Sequence, residues 1–141
     1  MNYHALAEKL IDLHAFLRLV PVARKLSVLD KGTFFALNYL MSPQRAVHPK
    51  ELSQKMAVSS ARIAALLNHM EQEGLVVREP DPDDNRQINV SLTDQGKRLI
   101  KNIRAEVVDI MAEALEGLGP EDAETYHRIQ MKMVQNLMRQ T

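Results

Sequence analysis

Apolar residues recur at spacings of three and four over residues 3–20, where Leu6, Leu10, Leu13, Leu17 and Val20 form one stripe. The pattern predicts a helix that Pro21 ends. A second helix is expected after Asp30, a favourable N-cap residue, with Phe34, Leu37 and Leu40 or Met41 facing inward and Ser42-Pro43 closing it. A short third helix opens at Pro49, where the missing N–H costs nothing, and carries Glu51 in its first turn and Leu52 and Met56 inward. Ala57-Val58-Ser59 reads as a tight turn. Ser59 or Ser60 then caps a further helix whose inward residues are Ile63, Leu66, Leu67 and Met70, and Gly74 is its expected stop.

The period then changes from about 3.6 to 2. Leu75-Val76-Val77 reads as a strand, and Pro80-Asp81-Pro82-Asp83-Asp84-Asn85 is dense in turn formers. Ile88, Val90 and Leu92 alternate with polar residues, as in a half-buried strand, so the two segments are expected to pair as a hairpin with a polar tip. Thr93 begins the longest helix, over residues 93–117, with Leu99, Ile103, Val107, Ile110, Ala114 and Leu118 on its apolar face. Gly119-Pro120 separates it from a last helix striped by Tyr126, Ile129, Met133 and Leu137. A helix–turn–helix followed at once by a β-hairpin is a winged helix. The fold class is therefore mainly α with a small β-hairpin wing. One protomer offers little room to bury the stripes of the terminal helices, so the economical arrangement packs them against a second copy in a two-fold homodimer.

Composition changes this picture only at the margins. The 141 residues suit one domain, and aromatics are 4%, so aliphatic and Met side chains fill the core. There is no cysteine, which removes disulfides and thiol redox sensing and fits a cytoplasmic protein. No apolar run approaches the roughly 18 residues of a membrane span, and His4, Glu8 and Asp12 make the N-terminus unlike a signal peptide. Formal net charge is zero, which argues mildly against a nucleic-acid binder. The distribution leans the other way: residues 45–105 hold ten Lys/Arg against eight Asp/Glu, and residues 106–141 hold three against seven.

Residues 48–92 carry the candidate chemistry. The second helix of a helix–turn–helix presents its N-terminal residues to base edges in the major groove. Here that end reads Ser59-Ser60-Ala61-Arg62. Serine hydroxyls bond bases or phosphates, and arginine can grip a guanine edge through two hydrogen bonds. Asn68 and His69, further along the exposed face, are candidate phosphate contacts. The bland alternative is that the serines only cap the helix and Arg62 is a solvated charge. In the hairpin tip, Arg86 suits the minor groove, and Asp84, two residues away, can hold its guanidinium in one pose. Asp81 and Asp83 are read as solvated turn formers.

The stretch from Lys50 to Gly96 resembles the MarR family of bacterial regulators. The matching residues are Glu51-Leu52, Val58-Ser59, Met70-Glu71, Gly74-Leu75-Val76, Arg78, and Asp84-x-Arg86 followed by Val90-x-Leu92-Thr93-x-x-Gly96. The resemblance implies a single domain over 1–141, with dimerisation helices at 1–30 and 97–141 and a winged DNA-binding lobe at 31–96. It further implies a palindromic double-stranded operator and, for many members, a repressor released by a small aromatic or phenolic effector. By the same likeness Ser59, Ser60 and Arg62 contact DNA and Arg86 is the minor-groove arginine held by Asp84. Two departures stand out: Ala65 sits where a basic residue is frequent, and the wing is acidic.

His14 and Arg18 share a helix face, and with Phe34, Tyr39 and Met111 they are the candidate lining of an effector pocket; the competing reading makes His14 and Arg18 interface or surface residues. No two of the five histidines lie four apart, so no metal site or cofactor is expected. No Gly-rich phosphate loop or nucleophile–base pair points to an enzyme. The alternative to a DNA-binding regulator is a winged-helix protein-interaction module that has lost DNA binding.

Overall fold

The computed structural model describes residues 1–42 and 45–141. The expected close of the second helix at Ser42-Pro43 therefore lies partly outside the described residues. The elements run α1 (Tyr3–Leu17), a 3₁₀ helix (Val22–Asp30), α2 (Gly32–Met41), α3 (Pro49–Met56), α4 (Ser60–Gln72), β1 (Val76–Pro80), β2 (Ile88–Leu92), α5 (Asp94–Glu116) and α6 (Pro120–Met138). By contacts the chain forms two units, Met1–Arg104 and Ala105–Thr141.

The first unit holds the core. Leu37 of α2, Leu52 of α3, Ile63, Leu67 and Met70 of α4, Val76 and Val90 of the hairpin, and Ile100 of α5 are all 3% exposed or less and form one cluster. At about 25 cal/mol per Å² of apolar surface removed from water, this cluster is what fixes α4 and the hairpin in a common frame. The strands pair antiparallel with Val76 opposite Leu92 and Pro80 opposite Ile88. Val47, just before α3, adds a bridge to Val90, whose N–H donates to the Val47 carbonyl at 2.8 Å.

Several expectations shift by a residue or more. Asp30 is not the N-cap of α2; it ends the 3₁₀ helix, and Lys31 occupies the cap position without a side-chain bond. The first strand begins at Val76 rather than Leu75, because Leu75 completes the helix exit: its N–H donates to the Met70 carbonyl at 2.9 Å. Leu99 is 36% exposed and Ile100 takes the buried place. The predicted cap at the turn is met: Ser59 Oγ accepts from Arg62 N at 3.2 Å. The turn itself puts Ala57 in the left-handed region at φ 52°, and Ser53 Oγ donates to the Val58 carbonyl at 2.6 Å to hold it.

The residues of the two terminal stripes are exposed in the single chain. Leu6, Leu10, Leu13 and Leu17 of α1, and Tyr126, Ile129, Met133 and Leu137 of α6, are between 44% and 57% accessible.

The base of the hairpin is tied by one threonine. Thr93 N donates to the Leu75 carbonyl at 3.0 Å, and its Oγ1 donates to the Gly74 carbonyl at 2.6 Å while accepting from Gly96 N at 3.0 Å. Gly96 is buried here, and a Cβ on it would collide with the Leu75 carbonyl oxygen. Because that oxygen is backbone, it cannot turn away. Gly96→Ala is expected to destabilise the protein by about 1–3 kcal/mol in urea unfolding, as overpacking does; an unchanged midpoint would contradict the tight approach.

Candidate nucleic-acid interface

The N-terminal turn of α4 is a solvent-facing edge. Ser59, Ser60, Ala61 and Arg62 are all exposed, while Ile63 anchors the helix beneath them. Ser59 spends its oxygen on the cap but keeps its hydroxyl hydrogen to donate. The Arg62 guanidinium has no side-chain partner among the described residues. Ala65 is exposed on the same helix and offers neither charge nor hydrogen bond.

The wing presents a second edge. Arg86 is 91% exposed, and its Nε donates to Asp84 Oδ1 at 3.2 Å. The same oxygen accepts from Arg86 N at 3.1 Å. Asp84 thus organises the backbone of the tip as well as the guanidinium, and the two terminal nitrogens of Arg86 stay open to solvent.

Two exposed residues of α4 are engaged more than expected. Asn68 Oδ1 accepts from Arg78 Nη2 at 2.6 Å, and His69 Nε2 lies 2.9 Å from Glu73 Oε1. Arg78 of β1 also donates through Nε to Glu71 Oε2 at 2.5 Å. Sequence spacing gave no sign of this, since Arg78 sits ten residues from Asn68.

Asp81 forms a turn as expected, through its bond to Asp83 N, but it is not solvated. Its side chain is 15% exposed, with Oδ2 facing His48 Nε2 at 3.7 Å and Oδ1 accepting from Asp83 N at 2.8 Å. On its other edge the His48 ring donates through Nδ1 to the Ile88 carbonyl at 2.9 Å. The residue before α3 therefore touches both ends of the hairpin tip. His48 and Arg86 also line an open cleft of about 620 Å³ together with Lys50, Gln54 and Gln87. The only signal in the sequence was a histidine just before a helix-starting proline. Nearby, Arg45 Nη1 meets Glu51 Oε1 at 2.7 Å. That guanidinium holds the Glu51 carboxyl below its ordinary value; burial works against it, and Tyr39 and Lys55 add smaller pulls.

The candidate effector residues fall in both units. His14 and Arg18 are exposed, Phe34 and Tyr39 are half-buried in the first unit, and Met111 is half-buried in the second. Tyr39 stacks on Phe35, with ring centroids 6.0 Å apart.

The MarR family model matches residues 32–87, which run from α2 to the tip of the wing. The structure of a MarR family protein from Bacillus stearothermophilus superposes with a TM-score of 0.76 at 26% identity, covering 98% of this chain and 99% of that one. Residues 32–87 thus match the MarR family, and the chain shares the fold of a MarR family protein along nearly its whole length. Among curated proteins, the uncharacterized HTH-type transcriptional regulator YdgJ of Bacillus subtilis is 30% identical over 91 residues, which is 64% of this chain and 56% of YdgJ. The chain spans little more than half the length of the first curated relatives it matches, at 56%, 54% and 61%. Staphylococcus aureus MepR shares the fold: a variant bound to an oligodeoxyribonucleotide gives a TM-score of 0.63 at 21% identity, covering 97% of this chain and 99% of MepR. MepR has also been solved with ethidium bromide bound, with a TM-score of 0.63 at 20% identity over 92% of this chain and 95% of MepR. The curated relatives YdgJ, YkoM and YsmB of Bacillus subtilis all carry the name of HTH-type transcriptional regulators. Among the described residues no helix is long and apolar enough to cross a membrane.

The wing is held by His48, and a measurement can read this directly. Limited trypsin digestion of His48→Ala should cleave after Arg86 several times faster than in the wild-type protein, because the tip loses a tie at both ends. Equal cleavage rates would show that the strands alone fix the tip.

Proposed function

We propose that this chain is a sequence-specific DNA-binding transcriptional regulator of the MarR family that acts as a homodimer. The observation that carries the reading is the pairing of two open arginines on one framework. Arg62 stands free at the exposed start of α4, and Arg86 stands 91% exposed at the wing tip in a pose set by Asp84. A helix N-terminus of this kind reads base edges in the major groove, and an exposed wing arginine suits the negative potential of the minor groove. Ser59 and Ser60 add hydroxyl donors beside Arg62. The regulator names of the curated relatives and the oligonucleotide held by a MepR variant support the same reading. The neutral net charge points to an affinity set by these few contacts rather than by a broad basic surface.

The homodimer is supported by the exposed apolar faces of α1 and α6, which a monomer would leave in water. Residues 1–30 and 97–141 are its expected dimerisation region and residues 31–96 its DNA-binding lobe, in a cytoplasmic protein. The finer reading is a repressor that a small aromatic or phenolic effector releases, held by His14, Arg18, Phe34, Tyr39 and Met111. The ethidium complex of MepR supports an aromatic ligand class.

Arg86→Ala is the variant that tests the wing. Its affinity for a duplex chosen by the wild-type protein from a random pool should fall by about tenfold or more. Sedimentation should give twice the 16.0 kDa chain mass for both proteins. An unchanged affinity would remove the wing from the interface, and a monomeric wild type would remove the dimer.

A further inference from the structure

Arg78 occupies a position where packing alone would call for an aliphatic residue. It shares a face of β1 with Val76 and stands opposite Val90, and both of these are buried. A valine or leucine would suit that neighbourhood. Arginine adds a planar fork whose donors have fixed spacing, and α4 supplies two acceptors for it. Glu71 Oε2 takes Nε at 2.5 Å and Asn68 Oδ1 takes Nη2 at 2.6 Å. Asn68 and Glu71 lie three apart, so they sit together on one helix face.

The consequence falls on Asn68. Its carbonyl oxygen is committed to Arg78, which fixes the amide in one orientation. The Nδ2 hydrogens are then the atoms left to the solvent side of an exposed residue, and no described residue accepts from them. Glu71 holds the guanidinium from its other edge, so Arg78 does not swing out to take a ligand itself. We propose that Arg78 is a positioning residue that turns the Asn68 amide donors outward, to bond a phosphate oxygen of duplex DNA lying along α4. The proposal rests on the DNA-binding reading above and assigns Asn68 its partner chemistry within it.

Asn68→Asp separates this role from a purely structural clamp. Aspartate keeps an acceptor for Arg78, so the link to β1 survives. It also places a carboxylate oxygen where the amide donors stood, facing phosphate. Fluorescence anisotropy with a duplex selected by the wild-type full-length protein should show about tenfold weaker binding or more. The thermal midpoint should stay within about 3 °C of wild type. Arg78→Lys should weaken binding by a similar factor, because a rotating ammonium on a flexible stem does not hold the Asn68 amide in one orientation as the rigid fork does. The proposal is overturned if Asn68→Asp binds within about twofold of wild type, well below the effect of one lost charge-assisted bond, or if its affinity falls only in step with its midpoint. Should Arg78→Lys fail to fold, Asn68→Asp still decides. If the wild-type protein selects no duplex at all, the DNA-binding reading fails and the positioning role with it. Selection by wild type with undiminished binding by Asn68→Asp removes the positioning role alone.

Discussion

Everything at the reading edge depends on the tie that Thr93 makes at the base of the hairpin. Its N–H, its hydroxyl hydrogen and its hydroxyl oxygen engage Leu75, Gly74 and Gly96 in turn. Those three bonds join the exit of α4, the start of β1, the end of β2 and the first turn of α5 at one point. Gly96 lets α5 approach the Leu75 carbonyl closely enough for the bonds to form. Without the tie the hairpin would keep its core contacts through Val76 and Val90 but lose the hydrogen bonds that fix its angle to α4 and α5.

From that base the two edges are aimed by separate short links. His48 reaches from the start of α3 to Asp81 and Ile88 and steadies the wing tip, where Asp84 sets Arg86. Arg78 reaches from β1 to Asn68 and Glu71 and steadies the far half of α4. The near half is steadied by its own cap and by Ile63 in the core. Each link joins segments that the hydrophobic cluster already brings together. The cluster supplies the adhesion, and the polar links supply direction, since hydrogen bonds fix angles that apolar contact leaves free.

The period switch at Gly74 made the wing legible, because helical spacing gives way to alternation where a helix hands the chain over to a strand. The pair Asp84 and Arg86 was legible for a similar reason: their bond spans two residues. Links between distant segments were not. His48 and Asp81 are thirty-three positions apart, and nothing local marks either as a partner of the other. Asn68 was read as an open polar residue because periodicity identifies the outward side of a helix but not the strand residue beside it, whereas the His69–Glu73 pair, four apart, was within reach of helical spacing. The displacement of Leu99 by Ile100 has a related cause: adjacent aliphatics offer two helical phases, and only the packing of Ile100 into the core cluster chooses between them. In Val22–Asp30, Val22, Leu26 and Leu29 recur at helical spacing, but that spacing does not tell 3₁₀ turns from α-helical ones. The stripes of α1 and α6 were legible except that α1 ends at Leu17 and leaves Val20 outside it, and their residues are exposed in one chain, which is the ground for the proposed homodimer.

The central claim is that two copies of this framework read duplex DNA through α4 and the wing together. Hydroxyl-radical and methylation footprinting of the wild-type protein on its selected duplex tests it most directly. The account predicts two symmetric half-sites one helical turn, about 10 base pairs, or a multiple of it apart, each with major-groove protection beside a minor-groove contact that Arg86→Ala erases. A single asymmetric patch, or protection indifferent to sequence at low salt, would contradict it.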